Sequence, residues 1–222
     1  MSCSVTAIII TKNESLHIGR CIDSIKKHVS RIVVIDSGSE DETESIVIRK
    51  GCEFYFNKWE GYANQVNWAI NKVSNSSDWI LRIDADEVIN ESQLNVKEYL
   101  AQLGDEINGL NIRRNMYFGK ELVKSGGIYN QKILRIIRSG FGKCDNKTMD
   151  EHLISEDLII DSPFTFSDIS LINFKEFVCK HIDYANLEVT SRFENKSYDN
   201  KRFKYSKSTI IKKFLKENIF YK

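Results

Sequence analysis

Val5-Thr6-Ala7-Ile8-Ile9-Ile10 is a nearly unbroken apolar and β-branched run, the pattern of a strand buried on both faces of a parallel sheet. Leu16, Ile18, Ile22 and Ile25 then recur at near-helical spacing up to His28. Arg31 to Asp36 forms a second buried run that ends on a carboxylate, which completes a βαβ unit. Ser39 and Glu42 stand in capping-box spacing before a helical run through Ile46, Val47 and Arg49 that Gly51 closes. Cys52 to Phe56 predicts a third strand, and Tyr62 to Val73 a helix with Val66, Ala69, Ile70 and Val73 on one face. Asp78 to Asp84 predicts a fourth strand.

Strands alternating with helices predict an α/β fold, a doubly wound and mostly parallel sheet with flanking helices. Beyond Asn90 a helix around Leu94, Leu100 and Leu103 leads to strands at Gly109 to Phe118 and Lys132 to Arg138. No helix separates these two, so the sheet is expected to become mixed. No element is assigned between Gly140 and Ser170, and from Tyr184 the chain turns helical and polar. The expected division is a catalytic domain at 1–180, with a nucleotide-binding half at 1–90 and an acceptor half at 109–180. A helical tail follows at 181–222.

Charge changes this picture at one end. From Lys201 to Lys222 eight Lys or Arg face the single acid Glu217, about +7, and since the whole chain is +1 the rest carries about −6. Within the tail Ile210, Ile211, Phe214, Leu215 and Ile219 form an apolar stripe flanked by Lys207, Lys212, Lys213 and Lys216. That is the pattern of a helix lying in a membrane interface. The alternative is a helix packed on the catalytic domain with its lysines in water. The acidic body offers no basic groove, so nucleic acid is not expected as a partner. No run approaches the ~20 apolar residues of a membrane span. The first apolar run is short and meets Thr11-Lys12-Asn13-Glu14 at once, so no secretory leader is expected. Five cysteines without a C-x-x-C pair point to reduced thiols in the cytoplasm.

Ligands of open α/β sheets sit outside the carboxyl ends of the strands. Here those ends carry Thr11-Lys12-Asn13-Glu14, Asp36-Ser37-Gly38-Ser39 and Asp84-Ala85-Asp86-Glu87. Clustered carboxylates repel one another, and a hard divalent cation such as Mg²⁺ or Mn²⁺, bound with a substrate diphosphate, removes the conflict. On an extended segment Asp84 and Asp86 project to one face, and Ala85 between them leaves room for a ligand.

These segments resemble the family-2 inverting glycosyltransferases of GT-A fold, particularly the bacterial branch that builds lipopolysaccharide core and other surface polysaccharides. The resemblance spans roughly residues 4 to 155. It rests on Ile8 to Glu14, Ile35 to Ser39, Trp59 to Asn67, Trp79 to Glu87, Gly126-Gly127 and Met149-Asp150-Glu151-His152. It implies a UDP-sugar donor, with Thr11, Asn13 and Glu14 lining the uridine pocket, Asp36 bonding the base, and Gln65 with Asn67 closing over the nucleotide. Asp84 and Ala85 would meet the ribose or diphosphate. Asp86, with Asp84 beside it, would hold Mn²⁺ or Mg²⁺. Asp36 has a plain alternative as an Asx-turn with Ser37-Gly38, and Gln65 and Asn67 as the exposed face of a helix.

Inverting transfer needs a base for the acceptor hydroxyl. By the same resemblance Glu151 takes that role, with Asp150 as fallback and His152 as a group that steadies the carboxylate or approaches the metal. Gly126 and Gly127 fall where a flexible backbone admits acceptor or sugar, and Lys124 and Arg135 near them could meet phosphate or acidic groups. Trp59 and Tyr62 either stack on the ligand or belong to the core. The expected acceptor is a glycan or lipid-linked molecule at the inner face of a membrane. Three other classes compete. A nucleotidyltransferase needs an early glycine-rich phosphate loop, and no glycine occurs between Ile10 and Gly19. A catalytically silent nucleotide-sugar-binding protein is opposed by the intact Asp84, Asp86 and Glu151. An NAD-dependent oxidoreductase needs G-x-G-x-x-G after the first strand, which is missing.

Overall fold

The computed structural model describes residues 3–90, 94–125, 129–146 and 151–195. Its centre is strand β1 (Val5–Thr11), whose run of buried side chains packs against helices on both faces. β2 (Arg31–Asp36) and β4 (Trp79–Asp84) flank β1 in parallel, and β3 (Glu53–Phe56) extends the sheet beyond β2. Helix α1 (Ile18–Ile25) buries Ile18, Cys21, Ile22 and Ile25, an i, i+3, i+4, i+7 stripe, with α2 (Thr43–Arg49) on the same face. On the other face α3 (Tyr62–Val73) buries Ala63, Val66, Ala69, Ile70 and Val73 against Ile8, Val33, Ile35 and Ile80. Each such aliphatic side chain removed from water contributes about 1.5–3 kcal/mol, so the two-sided core fixes where the strand ends fall.

The later strands make the sheet mixed, as their lack of intervening helices predicts. β5 (Glu87–Ile89) and the short helix α4 (Val96–Leu100) come first, then β6 (Ile107–Phe118), β7 (Glu121–Leu122) and β8 (Gln131–Arg138). β9 (Lys143–Cys144) and β10 (Leu153–Ile154) form a separate two-stranded ladder, and β11 (Leu158–Ile169) returns to the main sheet. The order is β3-β2-β1-β4-β8-β6-β11-β5, with β8 antiparallel to β4 and to β6, and β11 parallel to β6. The doubly wound α/β class with flanking helices is the one found.

Three local expectations differ. α2 begins at Thr43 rather than after Ser39, because the Ser39 hydroxyl is used by Asp36 while the Asp41 carboxylate takes the Thr43 N–H at 3.0 Å. The stretch without an assigned element contains the twelve-residue β11, whose register breaks between Asp161 and Thr165 around Pro163, a residue with no N–H for a ladder. Helix α5 (Phe174–Asn195) starts ten residues before Tyr184. Contacts divide the chain into a unit Met1–Val178 and a unit Cys179–Lys222. The described cysteines are free thiols, Cys21 and Cys144 buried and Cys179 exposed. Among the described residues no helix is long and apolar enough to cross a membrane. The basic segment 201–222 lies outside the described residues.

Candidate active site

Strand register brings the polar ends together. Thr11 is paired with Asp36 across β1 and β2, and Ile10 with Asp84 across β1 and β4, so three neighbouring parallel strands end side by side. Asp36 organises the first two ends. One carboxylate oxygen accepts the Gly38 and Ser39 N–H groups, each at 2.7 Å, and the other accepts the Thr11 hydroxyl at 3.0 Å and the Ser39 hydroxyl at 2.5 Å. An ionised carboxylate offers about four lone-pair sites, and all four are used inside the protein. The Asx-turn geometry is therefore present, with Gly38 at φ 102°, a conformation open to glycine.

Asn13 and Glu14 cross-link the same loops. Asn13, at φ 55°, donates its N–H to the Ser39 hydroxyl at 2.7 Å and accepts the Glu40 N–H at 2.9 Å. The Glu14 N–H bonds Thr43, and its carboxylate lies 2.7 Å from Nδ1 of the buried His17. His17 Nε2 accepts the Leu171 N–H at 2.9 Å, which requires the tautomer with its proton on Nδ1. Burial alone would raise the Asp41 carboxyl, but hydrogen bonds from Thr43 and Ser15 outweigh it and hold it at about 2.

The segment after β4 is not extended through Asp86, which corrects the expected geometry. β4 ends at Asp84, residues 85 and 86 turn, β5 begins at Glu87, and Ala85 is buried in the core. The turn is tied from three sides. The Asp84 N–H donates to Glu87 Oε2 at 3.0 Å, and the Asp86 carbonyl accepts from Ile169 N–H at 3.2 Å and from Arg20 Nη2 at 3.0 Å. The Asp84 carboxylate accepts from the Tyr62 hydroxyl at 2.8 Å, from Arg82 at 3.2 Å and from Arg135 at 3.0 Å, and Arg135 also lies 2.5 Å from Glu87. Burial works against the Asp84 anion, yet Arg135 and Arg82 prevail and hold it well below the usual carboxylate range. Glu87 is 1% exposed, and burial, with the Asp84 and Asp86 charges adding to it, pushes its carboxyl up to about 8 against the pull of Arg135.

Gln65 and Asn67 are neither on an exposed helix face nor without partners. Gln65 is fully buried, and its amide exchanges bonds of 2.7 and 3.0 Å with Asn57. Asn67 holds the Cys144 peptide at both its N–H and its carbonyl. Glu151 is half-buried and within electrostatic reach of the Cys144 thiol, as are Arg82 and Asp84. The His152 backbone pairs with Asp145. Trp59 is 48% exposed and stands edge-on to Tyr62, whose ring carries the Arg82 guanidinium at 4.9 Å. Gly126, Gly127 and Asp150 lie outside the described residues. Among the described residues no three His, Cys, Asp or Glu side chains converge as a metal cage.

Residues 6–152 match the model of the family described as Glycosyl transferase family 2. The chain belongs to that family. This glycosyltransferase is 29% identical over 202 residues to the lipopolysaccharide core biosynthesis glycosyltransferase LpsC of Rhizobium meliloti strain 1021, covering 86% of the present chain and 72% of LpsC. It is 40% identical over 96 residues to an uncharacterized glycosyltransferase of Rickettsia felis, covering 43% of the chain and 33% of that relative. Solved structures are also similar to it, two of them as follows. Glucosyl-3-phosphoglycerate synthase of Mycobacterium tuberculosis, in complex with Mn²⁺, UDP and phosphoglyceric acid, is 23% identical with a TM-score of 0.42 over 53% of this chain and 45% of the synthase. S. aureus TarS 1-349 with UDP is 22% identical with a TM-score of 0.44, over 55% of this chain and 38% of TarS. The family match decides membership.

Several residues that shape the site of this glycosyltransferase were not singled out in the sequence: Arg82, Glu87, His17 and Arg20. Arg82 does leave a signal, since a charged residue inside the buried run Trp79 to Asp84 needs an acid partner. Arg135 leaves the same signal in β8, and of the two expectations for it, phosphate or acidic groups, the structure shows acidic groups. His17 and Arg20 leave none, because they bind the backbone of residues about 150 positions away.

Proposed function

We propose that the chain transfers a sugar, with inversion, from a UDP-sugar to a glycan or lipid-linked acceptor of lipopolysaccharide or surface-polysaccharide type. The observation that carries this is the register that sets Thr11, Asp36 and Asp84 at adjacent strand ends, with Asp86 in the turn immediately after. The acceptor class is supported by the likeness to LpsC over most of both chains.

Asp86 suits a hard cation. Two arginines and a phenol already engage the Asp84 carboxylate, and Asp86, in the turn just beyond β4, is the acid assigned to the ion. Mn²⁺ and Mg²⁺ take one or two carboxylates and fill the rest of the shell with water and substrate phosphate, so one or two acids suffice to hold them. Such an ion, when bound, neutralises the diphosphate and the charge on departing UDP. The protein's own share is the rest. Asp36, with Asn13 and Glu14, fixes the loops that form the nucleotide floor. Glu151 takes the proton of the acceptor hydroxyl as that oxygen bonds the anomeric carbon and the bond from that carbon to the β-phosphate oxygen breaks.

Thermal shift tests this reading, because a ligand that binds only the folded state raises stability by mass action. UDP with Mn²⁺ should raise the melting temperature of the native chain and leave Asp86→Ala unmoved. An equal shift in both removes the metal assignment, and no shift in either removes the donor. The proposed seat is the inner face of a membrane, reached through the basic segment 201–222, with each lysine near an anionic leaflet contributing about 1 kcal/mol. At low salt, vesicles rich in phosphatidylglycerol should pellet the full chain and not a chain ending at Asn200. Equal pelleting would sink the attachment.

A further inference from the structure

We propose that Asn67 is a positioning residue for the general base, acting through the backbone of Cys144; this rests on Glu151 holding the base role proposed above. Asn67 projects from α3 and binds both backbone polar groups of a single residue. Its Nδ2 donates to the Cys144 carbonyl at 3.0 Å, and its Oδ1 accepts the Cys144 N–H at 2.8 Å. A neighbouring strand would satisfy those same two groups, and a helix side chain takes its place here.

From Cys144 the connection runs directly to Glu151. Cys144 pairs with Leu153 across the β9-β10 ladder. One step outward, the Asp145 N–H donates to the His152 carbonyl at 2.9 Å, and the His152 N–H donates to Asp145 Oδ1 at 2.8 Å. Glu151 is the next residue. A ladder of two-residue strands does not hold itself in water, so its placement comes from what it is docked on. Cys144 and Leu153 are buried in the same core as Ala63, Val66 and Ala69 of α3, and Asn67 adds the two directional bonds that set the register. The opposite reading of Asn67, closure over the nucleotide, predicts a different kinetic signature.

The experiment compares the full-length native chain, Asn67→Ala, Asn67→Asp and Glu151→Gln. The readouts are UDP plus Mn²⁺ affinity, turnover of whichever of UDP-glucose, UDP-galactose and UDP-N-acetylglucosamine the native chain uses fastest, and amide hydrogen exchange at Cys144 and Leu153. For Asn67→Ala we expect UDP affinity within about twofold of native, kcat lower by roughly 10- to 100-fold, as for a displaced catalytic group, and faster exchange at both amides. Asn67→Asp keeps an acceptor for the Cys144 N–H but turns a second oxygen on the Cys144 carbonyl, so it should lose kcat to a similar extent, and it carries the same readouts if the alanine variant melts below assay temperature. Weakened UDP binding with native kcat would make Asn67 a nucleotide contact and overturn the proposal. So would native kcat, or unchanged exchange, in Asn67→Ala while Glu151→Gln is inactive. A Glu151→Gln chain as active as native instead removes the base assignment, and this inference falls with it.

Discussion

Arg135 Nη2 stands 3.0 Å from Asp84 Oδ2, joining β8 to the end of β4, where the parallel part of the sheet meets its antiparallel part. The Arg135 side chain is 3% exposed, and it also holds Glu87, whose side chain is 1% exposed. Removing one partner of a buried ion pair leaves the other charge uncompensated, at a cost of about 3–5 kcal/mol. Arg135→Met should therefore destabilise the fold by that amount in urea titration. Glu87→Gln in the same background should recover part of it above about pH 8, where the Glu87 carboxyl is ionised and stranded as well. A midpoint for Arg135→Met that matches the native chain would mean that this cluster does not hold the two halves.

Glu87 gives that cluster a pH signature. Its carboxyl is raised from 4.5 to about 8, so the folded state binds a proton that the unfolded state releases. The stability linked to this proton is complete below the unfolded value and is lost as pH rises through about 8. Asp84, held low by its arginines, has the opposite sign and matters only in acid. Unfolding free energy should thus fall for the native chain between about pH 5.5 and 8.5 by more than for Glu87→Gln. Parallel pH profiles for the two proteins would rule this out.

The parallel half was legible in the sequence because burial on both faces writes itself as an unbroken apolar run, and α1 and α3 show their buried stripes at helical spacing. The acids at the strand ends were legible for the same reason, since they terminate those runs. What escaped is long-range or backbone-directed. Arg135 finds Asp84 from 51 residues away, and Asn67 binds a peptide group that leaves no trace in residue type. β11 escaped because Pro163 interrupts its pattern at the point where its register shifts.

Asp36 separates a structural from a nucleotide-binding role. Three of its four hydrogen bonds close the turn after β2 and the fourth ties that turn to Thr11 at the end of β1, all without any ligand. Hydrogen bonds to a charged group contribute about 1.5–3 kcal/mol each, and exposure of the freed donors to water recovers some of that. Asp36→Ala should therefore lose at least about 2 kcal/mol of stability in the absence of nucleotide. A variant with native melting temperature and weakened UDP binding would show that the carboxylate contacts the base.

Glu151 carries the chemical part of the proposal. It is half-buried beside the Asp145–His152 pair, and its charge is felt at the Cys144 thiol together with those of Arg82 and Asp84. A general base is worth roughly 10²- to 10⁴-fold in rate, whereas ground-state binding of UDP does not require it. Glu151→Gln preserves size and hydrogen bonding while removing the proton acceptor. It should lower kcat by roughly 10²-fold or more and leave the UDP plus Mn²⁺ thermal shift at the native value. If Glu151→Gln turns over donor at a near-native rate while Asp150→Asn is inactive, the role passes to Asp150. If both variants keep native turnover, proton removal is carried out by a group outside this segment.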